Sequence, residues 1–573
     1  MSNGARTDAA VFYVADGYDT NTRQLMGRRA AGEAFLKALA QDPAGGPLVC
    51  CTPAAGGFDG FRKHVRALGA PADRPLRHVV LGDHAGLAAA GCVFYPGPDI
   101  AKLAWARAAG DPRGHSLTGV THTTASHGAM DHIAGLLGGP LEAWDALICT
   151  SRSVRTTVEQ VLGVAFEQAA ARGERPRPPQ AQLPVIPLGI DCAGLAPGPA
   201  AGASRAGFRA RYGIGADDLV VLSLARTSYH GKAHPLPMYL ALQAVAAMPG
   251  RGPLHLLQTG WFANDAIEQH FRAAAAALCP DVAVHFVPGT DPDVRSGIWH
   301  AADIFSLMSD NIQETFGLAP LEAMAAGLPV VASDWNGFRE TVRHGVDGFL
   351  ARTAMPAAGA GADLALRHDI GVDSYDRYIG GASQATAVSI ADAIAGFAAL
   401  ADGADLRRSM GAAGMARARA EFDWPVVLGQ YRALWSELAA RRAGAMPDSD
   451  PPVPVPPLRP PHPVNPARDD PFRSFACYPS VALDRDTPLR LAAGAGEPLL
   501  RERAALAMNS FAAAVLPAGA QFAAMLHALG RGDATAGAVL DRAEVAFAPG
   551  LRGLGWLAKM GLVEIGDGRG GWF

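Results

Sequence analysis

Glu314 and Glu322 are the residues of this 573-residue chain whose type and setting most directly suggest chemistry. They lie in residues 302–350, ADIFSLMSDNIQETFGLAPLEAMAAGLPVVASDWNGFRETVRHGVDGFL. Glu314 falls in a polar loop after an apolar strand, and the pattern predicts a helix opening near Gly317 that carries Glu322 on its second turn. Eight positions apart, the two side chains project about 80° from each other around an ideal helix, so both can line one side of a groove at different heights. The amides of Thr315, Phe316, Gly317 and Leu318 would meet an anion with the positive end of the helix dipole, and Gly317 permits close approach. A phosphate suits that position, which leaves the carboxylates to accept hydrogen bonds from vicinal hydroxyls such as those of ribose or hexose. Together these are the parts of a nucleotide-sugar pocket, although by spacing alone two such glutamates are an ordinary solvated helix face.

Two cations occupy a similar position earlier in the chain. Arg226 follows an apolar run and Lys232 comes six residues later, where a pair of fixed charges could neutralise a diphosphate. The chain has five lysines, Lys37, Lys63, Lys102, Lys232 and Lys559, so a lysine in such a setting stands out from a surface charge. HSLTGVTHTTASHGAMDHI carries His115, His122, His127 and His132 at spacings of seven, five and five. That is not the i, i+4 pair of a helical zinc site, no H-E-x-x-H occurs, and no metal is expected. In the loop 16–29, DGYDTNTRQLMGRR, Gly27 and Arg28 could approach a donor phosphate or an acceptor; a plain helix start is the alternative. Trp335, Asn336, Tyr375 and Tyr378 are either packing residues or contacts to a donor base or acceptor.

Glu314, Glu322, Ala323, Met324, Ala325, Gly327, Pro329, Val330, Val331, Ala332 and Gly337 all fit one further pattern. The stretch resembles the retaining glycosyltransferases of family 4, in which E-x7-E is followed by EAMAxGxPVVA and a Gly-containing loop. The resemblance implies that Glu314 meets the transferred sugar and Glu322 the ribose hydroxyls, and Arg226 and Lys232 look like the family's phosphate-binding cations. His122, after GVT, stands where the family places a histidine that contacts the donor sugar, with His127 as competitor and a structural histidine as the alternative. Thr315 replaces the first glycine of the usual E-G-F-G, and Gly231-Lys232 reverses the usual Lys-Gly. The resemblance covers about residues 10–440 and implies an α/β GT-B fold, two Rossmann-like doubly wound domains facing a cleft. It also implies retaining, metal-independent, hexosyltransferase-type transfer from a nucleotide-diphosphate-sugar to an acceptor hydroxyl, with no cofactor beyond that donor. Another GT-B chemistry, such as nucleotide-sugar epimerisation, or an inactive sugar-nucleotide-binding regulatory protein is the alternative. No motif selects the sugar, the base or the acceptor, which is a glycan, lipid, protein or small molecule.

The elements that must position these residues follow from pattern and composition. Short apolar runs ending in turns alternate with helical segments over residues 9–150 and again over 219–332, which predicts two parallel α/β sheets with ligands at the strands' carboxyl ends. A Pro-rich passage, then VIPLGID and the Gly/Ala-rich residues 193–206, place the boundary between domains 1–192 and 193–444. VIPLGID resembles the family's hinge segment, so Gly189 and Asp191 mark the crossing between halves. Residues 352–383 read as an insertion or long loop, and helices resume over 387–442, the last of them expected to return toward the first domain. Residues 445–470 are too dense in proline for helix or central strand and predict an extended spacer. Residues 471–573 then read as a separate module with a small α+β, winged-helix-like outline.

A hydrophobic fraction of 49% and a charged fraction of 18% exclude general disorder. A formal charge of -4 gives no bulk attraction for nucleic acid, and the last module has no basic recognition stripe, so protein docking or dimerisation is expected of it rather than DNA binding. Seven scattered cysteines without C-x-x-C predict reduced thiols in a cytoplasm, and the Arg/Ala/Gly/Pro bias looks bacterial. Neither a leader nor a membrane-spanning stretch is apparent, while peripheral membrane contact stays open.

Overall fold

The computed structural model describes residues 8–20, 27–43, 45–108, 110–289, 291–444, 470–532 and 534–573. Most of the Pro-rich spacer and residues 21–26 of the N-terminal loop lie outside the described residues. The chain folds as two compact units. One runs to Asp191 and includes the helix Trp424–Arg442, and the other runs from Cys192 to Arg419 and includes everything described from Asp470 to the C-terminus.

In the first unit, β1 (Ala10–Phe12), β2 (Leu48–Thr52), β3 (Leu76–Val80), β4 (Cys92–Phe94), β5 (Ser116–Val120) and β6 (Ala146–Ile148) form one parallel sheet in the order β3-β2-β1-β4-β5-β6. β1, β4, β5 and β6 are buried along their whole length, which is why they read as apolar runs rather than as alternating strands. The helix Trp424–Arg442 adds Trp424, Tyr431 and Trp435 to the core around Phe35 and Phe94. Ile190 anchors its start, donating to the Phe422 carbonyl at 2.9 Å and accepting from the Trp424 amide at 3.2 Å. A buried bidentate pair, Arg107 to Asp145 at 2.6 and 2.7 Å, ties β5 and β6 to the helix Ala101–Ala108, because Asp145 also accepts the Leu117 amide.

In the second unit, β7 (Leu219–Leu224), β8 (Leu254–Gly260), β9 (Ala283–Pro288), β10 (Ile304–Leu307), β11 (Val330–Ser333) and β12 (Gly348–Ala351) form a second parallel sheet, ordered β12-β11-β10-β7-β8-β9. Each unit by itself is thus Rossmann-like, and the chain has the two-domain composition of the GT-B fold. In a sheet of this order the winding reverses between the two central strands, and the loops at their carboxyl ends flank the ligand crevice. Those central strands are β7 and β10, and Arg226, Lys232 and Glu314 follow them directly.

Two parts of the second unit differ from the sequence reading. Residues 352–383 are not a long loop: β13 (Thr353–Pro356) is followed by the helices Ala362–Asp369 and Tyr375–Gln384. β13 pairs antiparallel with β14 (Ala387–Val388) and parallel with β15 (Val481–Leu483), so the strand is completed by chain more than a hundred residues away. For the same reason residues 470–573 are not a free-standing module. Besides β15 they hold a small antiparallel sheet of β16 (Pro488–Leu491), β17 (Ala534–Thr535) and β18 (Val563–Ile565), with the helices Ala536–Ala543 and Phe547–Lys559 before β18. The helix Phe547–Lys559 is buried in the second unit, with Arg552 on the Asp363 carboxylate at 2.5 and 2.9 Å. Both of these contacts are non-local, and no local composition signals them.

Candidate active site

Arg226 and Lys232 stand on the loop after β7, Glu314 on the loop after β10, and Glu322 on the helix Leu318–Ala325 that follows. The two loops are laced together by paired groups. Arg226 donates to the Gly231 carbonyl and to the Gln313 side-chain oxygen, both at 2.7 Å. Ser309 donates to the Lys232 carbonyl at 2.9 Å, Asn311 to the His230 carbonyl at 2.7 Å, and the Asp310 carboxylate accepts the His234 amide at 3.3 Å. At the front of this lacing the Lys232 ammonium donates to the Glu314 carboxylate. The expected pair of cations and the first of the expected acids are therefore brought to one place.

The start of the helix departs in detail from the expectation. Gly317 caps it in the left-handed region, at φ 99°, and its α-carbon lies against the Phe338 ring, where a β-carbon would collide. The amides of Thr315 and Phe316 lie 3.3 and 3.5 Å from Glu314 Oε1, so that carboxylate occupies the position expected of an anionic ligand. Leu318 opens the first turn. Asn336, left-handed at φ 45°, donates to the Glu314 carbonyl from its side-chain amide, which braces the same loop from the β11 side.

The two glutamates differ electrostatically. Burial pushes the Glu314 carboxyl up, but Lys232 and the two amides outweigh it and hold the group below the usual carboxylate range. Glu322, half-buried, is raised to about 7 by burial, and the more distant Lys232 only partly opposes this. Its carboxyl has no hydrogen-bond partner among the described residues, which leaves it open to hydroxyl donors. Arg226 and Lys232 line, together with Ser223, Thr227, Gln258 and Thr259, a small cavity of about 30 Å³, room for a water.

His122 and Gly27 belong to the first unit. His122 follows β5, and burial, aided by Arg28, lowers its imidazole to about 4, so it is neutral at ordinary pH. Gly27 begins the helix Gly27–Gln41 with open space around its α-carbon, and Arg28 pairs with Asp16 at 2.7 Å. Of the aromatic candidates, Trp335 is fully buried, donating to the Asn311 carbonyl at 3.0 Å, and Tyr378 is buried and stacked on His368. Tyr375 accepts from Gln313 at 3.0 Å, which extends the line from Arg226 through Gln313. Among the described residues no group of three or more His, Cys, Asp or Glu side chains is placed to hold a metal ion.

The sequence reading passed over Asp310 and Lys559. Both are wholly buried, and the Lys559 ammonium donates to the Asp310 carboxylate behind the Glu314 loop. The scarcity of lysine was the one signal that could have marked Lys559.

Residues 221–369 match the family model described as "Glycosyl transferases group 1". This part of the chain is similar to the group 1 glycosyltransferases. The match contains Arg226, Lys232, Glu314 and Glu322, and it includes residues 302–350. Among curated relatives, the D-inositol 3-phosphate glycosyltransferase of Geodermatophilus obscurus is 32% identical over 185 residues, 32% of this chain and 39% of that protein. The enzyme of the same name from Acidothermus cellulolyticus is 33% identical over 184 residues, 32% of this chain and 39% of its own. The chain thus spans about two fifths of the length of these relatives. Among solved structures, Anabaena Alr3699/HepE in complex with UDP and glucose superposes with a TM-score of 0.46 at 18% identity, covering 75% of this chain and 99% of that one. A glycosyltransferase from Rickettsia africae gives a TM-score of 0.47 at 13% identity over 75% of this chain and 99% of that one. Among the described residues no helix is long and apolar enough to cross a membrane.

Proposed function

We propose that the protein is a retaining glycosyltransferase that moves a hexose from a nucleotide-diphosphate-sugar to an acceptor hydroxyl. The observation that carries this reading is the convergence of Arg226, Lys232 and Glu314 on the loops after the two central strands of one Rossmann-like sheet. Arg226 and Lys232 take the donor's diphosphate, Lys232 exchanging the Glu314 carboxylate for phosphate oxygen. The amides of Thr315 and Phe316, released when Glu314 turns away, add two neutral donors at the same point, with Leu318 next along the helix start. Glu322 accepts hydrogen bonds from the ribose hydroxyls. Glu314, kept ionised, places negative charge beside the transferred sugar, where positive charge develops at the anomeric carbon as its bond to phosphate breaks.

Transfer then needs no protein base. The acceptor oxygen bonds to the anomeric carbon on the face from which the diphosphate departs, and the departing phosphate oxygen takes the acceptor's proton. By the family resemblance, His122, with a neutral imidazole, is proposed to contact the transferred sugar, and Gly27 the phosphate or acceptor. The acceptor is a glycan, lipid, protein or small molecule. The reading also takes the protein as cytoplasmic and metal-independent, with the nucleotide-sugar as its only small-molecule partner besides the acceptor.

Thermal shift of the full chain with UDP-, GDP-, ADP- and TDP-sugars tests the donor assignment, because a ligand at a hundred times its Kd stabilises by about 2.7 kcal/mol. One of the four is expected to raise Tm by several degrees, with the effect lost in Arg226→Ala. No shift with any of them would overturn the reading. A donor consumed without acceptor to give a different sugar nucleotide would favour epimerisation instead.

A further inference from the structure

Lys559 ends the helix Phe547–Lys559, far along the chain from the donor-site residues, yet its ammonium bonds Asp310, on the loop that carries Glu314. It donates to the Asp310 carboxylate and to the carbonyls of Ser383 and Thr386 at 3.0 and 3.2 Å, which uses all three of its protons. Asp310 is equally committed. Its Oδ2 takes the lysine, while Oδ1 accepts the Ser383 hydroxyl at 3.0 Å and the His234 amide at 3.3 Å. One carboxylate thus holds the loop of Arg226 and Lys232 through His234 and the loop of Glu314 through its own backbone. Burial pushes the Asp310 carboxyl up and the Lys559 ammonium down, and each is pulled back by the other.

The C-terminal segment is fixed around this contact from several sides. Gly555, one turn before Lys559, packs on the Ala385 carbonyl with no room for a side chain. Trp556 donates to the Asn509 carbonyl at 3.2 Å, and Phe511 stacks on His230 at 4.5 Å, next to the Gly231–Lys232 turn. The amide of Asn336, whose side chain braces Glu314, donates to the Tyr478 carbonyl at 3.2 Å. Phe511 and Tyr478 thus touch residues that carry or brace Lys232 and Glu314, Gly555 touches the end of the helix Tyr375–Gln384, and the Trp556–Asn509 bond holds the C-terminal segment to itself.

We propose that residues 470–573 are an integral part of the donor site, with Lys559 as a positioning residue that sets the spacing between the Lys232 and Glu314 loops through Asp310. The inference rests on the donor-site reading above. A buried charge pair has two discrete arrangements, made or broken, so a nucleotide that needs the made arrangement must also tighten the C-terminal helix. A displacement of the order of 1 Å in either loop would cost of the order of ten- to a hundredfold in kcat/KM.

The test uses the full chain. Hydrogen exchange is followed with UDP, GDP, ADP and TDP added in turn. The nucleotide that binds is expected to slow exchange in residues 226–234 and 309–317 and also in 552–562. Protection confined to the first two segments overturns the inference while leaving the donor site intact, whereas binding of none of the four overturns the donor site and this inference with it. Lys559→Met leaves Asp310 unpaired, so Asp310→Asn/Lys559→Met is made beside it to remove both charges. The double variant is expected to melt close to the wild type with donor kcat/KM down at least about tenfold. A folded double variant with wild-type kcat/KM overturns the proposal, since a merely structural pair would leave the kinetics of folded protein unmoved. If neither variant folds, the exchange of the unaltered chain decides.

Discussion

Glu322→Gln isolates one term of the stability of this site. Burial raises the Glu322 carboxyl from 4.5 to about 7. At about 1.4 kcal/mol per pH unit this is about 3 kcal/mol, trimmed to about 2 kcal/mol by solvent screening at a half-buried side chain. The sign follows from proton counting. Below pH 4.5 the folded and unfolded states are both protonated and the carboxyl contributes nothing. Between there and pH 7 the unfolded chain ionises first, so stability falls as pH rises, and above 7 the loss is constant. Glutamine has the same shape and never ionises, so the variant is expected to match the wild type at pH 4 and to exceed it by about 2 kcal/mol at pH 8. For a unit of this size that is a gain of roughly 4 °C in Tm. Calorimetry of both proteins across this range provides the measurement. A difference independent of pH, or one that grows toward acid, would refute the assignment of a raised Glu322 carboxyl. The same carboxyl must ionise to accept ribose hydroxyls well, so donor binding near pH 7 is expected to release a proton.

Two further substitutions probe the other side chains. Lys232→Met removes the partner that holds Glu314 low, and transfer is expected to fall by about 10² to 10³ as the donor's diphosphate loses a fixed charge, while a rate within tenfold of wild type would remove Lys232 from the donor site. Gly317→Ala places a β-carbon against the Phe338 ring at φ 99°, and a loss of about 2 kcal/mol is expected in denaturant melts, with an unchanged midpoint counting against the left-handed cap.

The readable part of this protein is the part whose contacts are local. The stretch from β10 through Glu314 and the helix Leu318–Ala325 to β11 is one strand–loop–helix–strand unit, so the periods of its apolar residues and a helix opening near Gly317 could be read in order. Arg226 and Lys232 were readable because they follow an apolar strand within a few residues. The C-terminal segment was not, because its defining contacts join residues far apart: β13 to β15, Arg552 to Asp363, and Lys559 to Asp310 across 249 positions. Residues 352–383 misled for a related reason, since Gly and Ala suggested a loop where two helices are held by burial of Leu364, Tyr378 and Ile379 rather than by helix propensity. Nothing in the spacing indicates that Glu314 folds back onto the amides of Thr315 and Phe316.

The central claim is that Glu314 works on a sugar carried by a nucleotide whose phosphates lie at Arg226 and Lys232. The most direct measurement is release of nucleoside diphosphate from UDP-, GDP-, ADP- and TDP-sugars, comparing wild type with a Glu314→Gln variant whose melting has been checked. Release from one donor by the wild type, reduced at least a hundredfold in the variant, is the predicted result. Release from none of the four, or equal release by both proteins, would contradict the account.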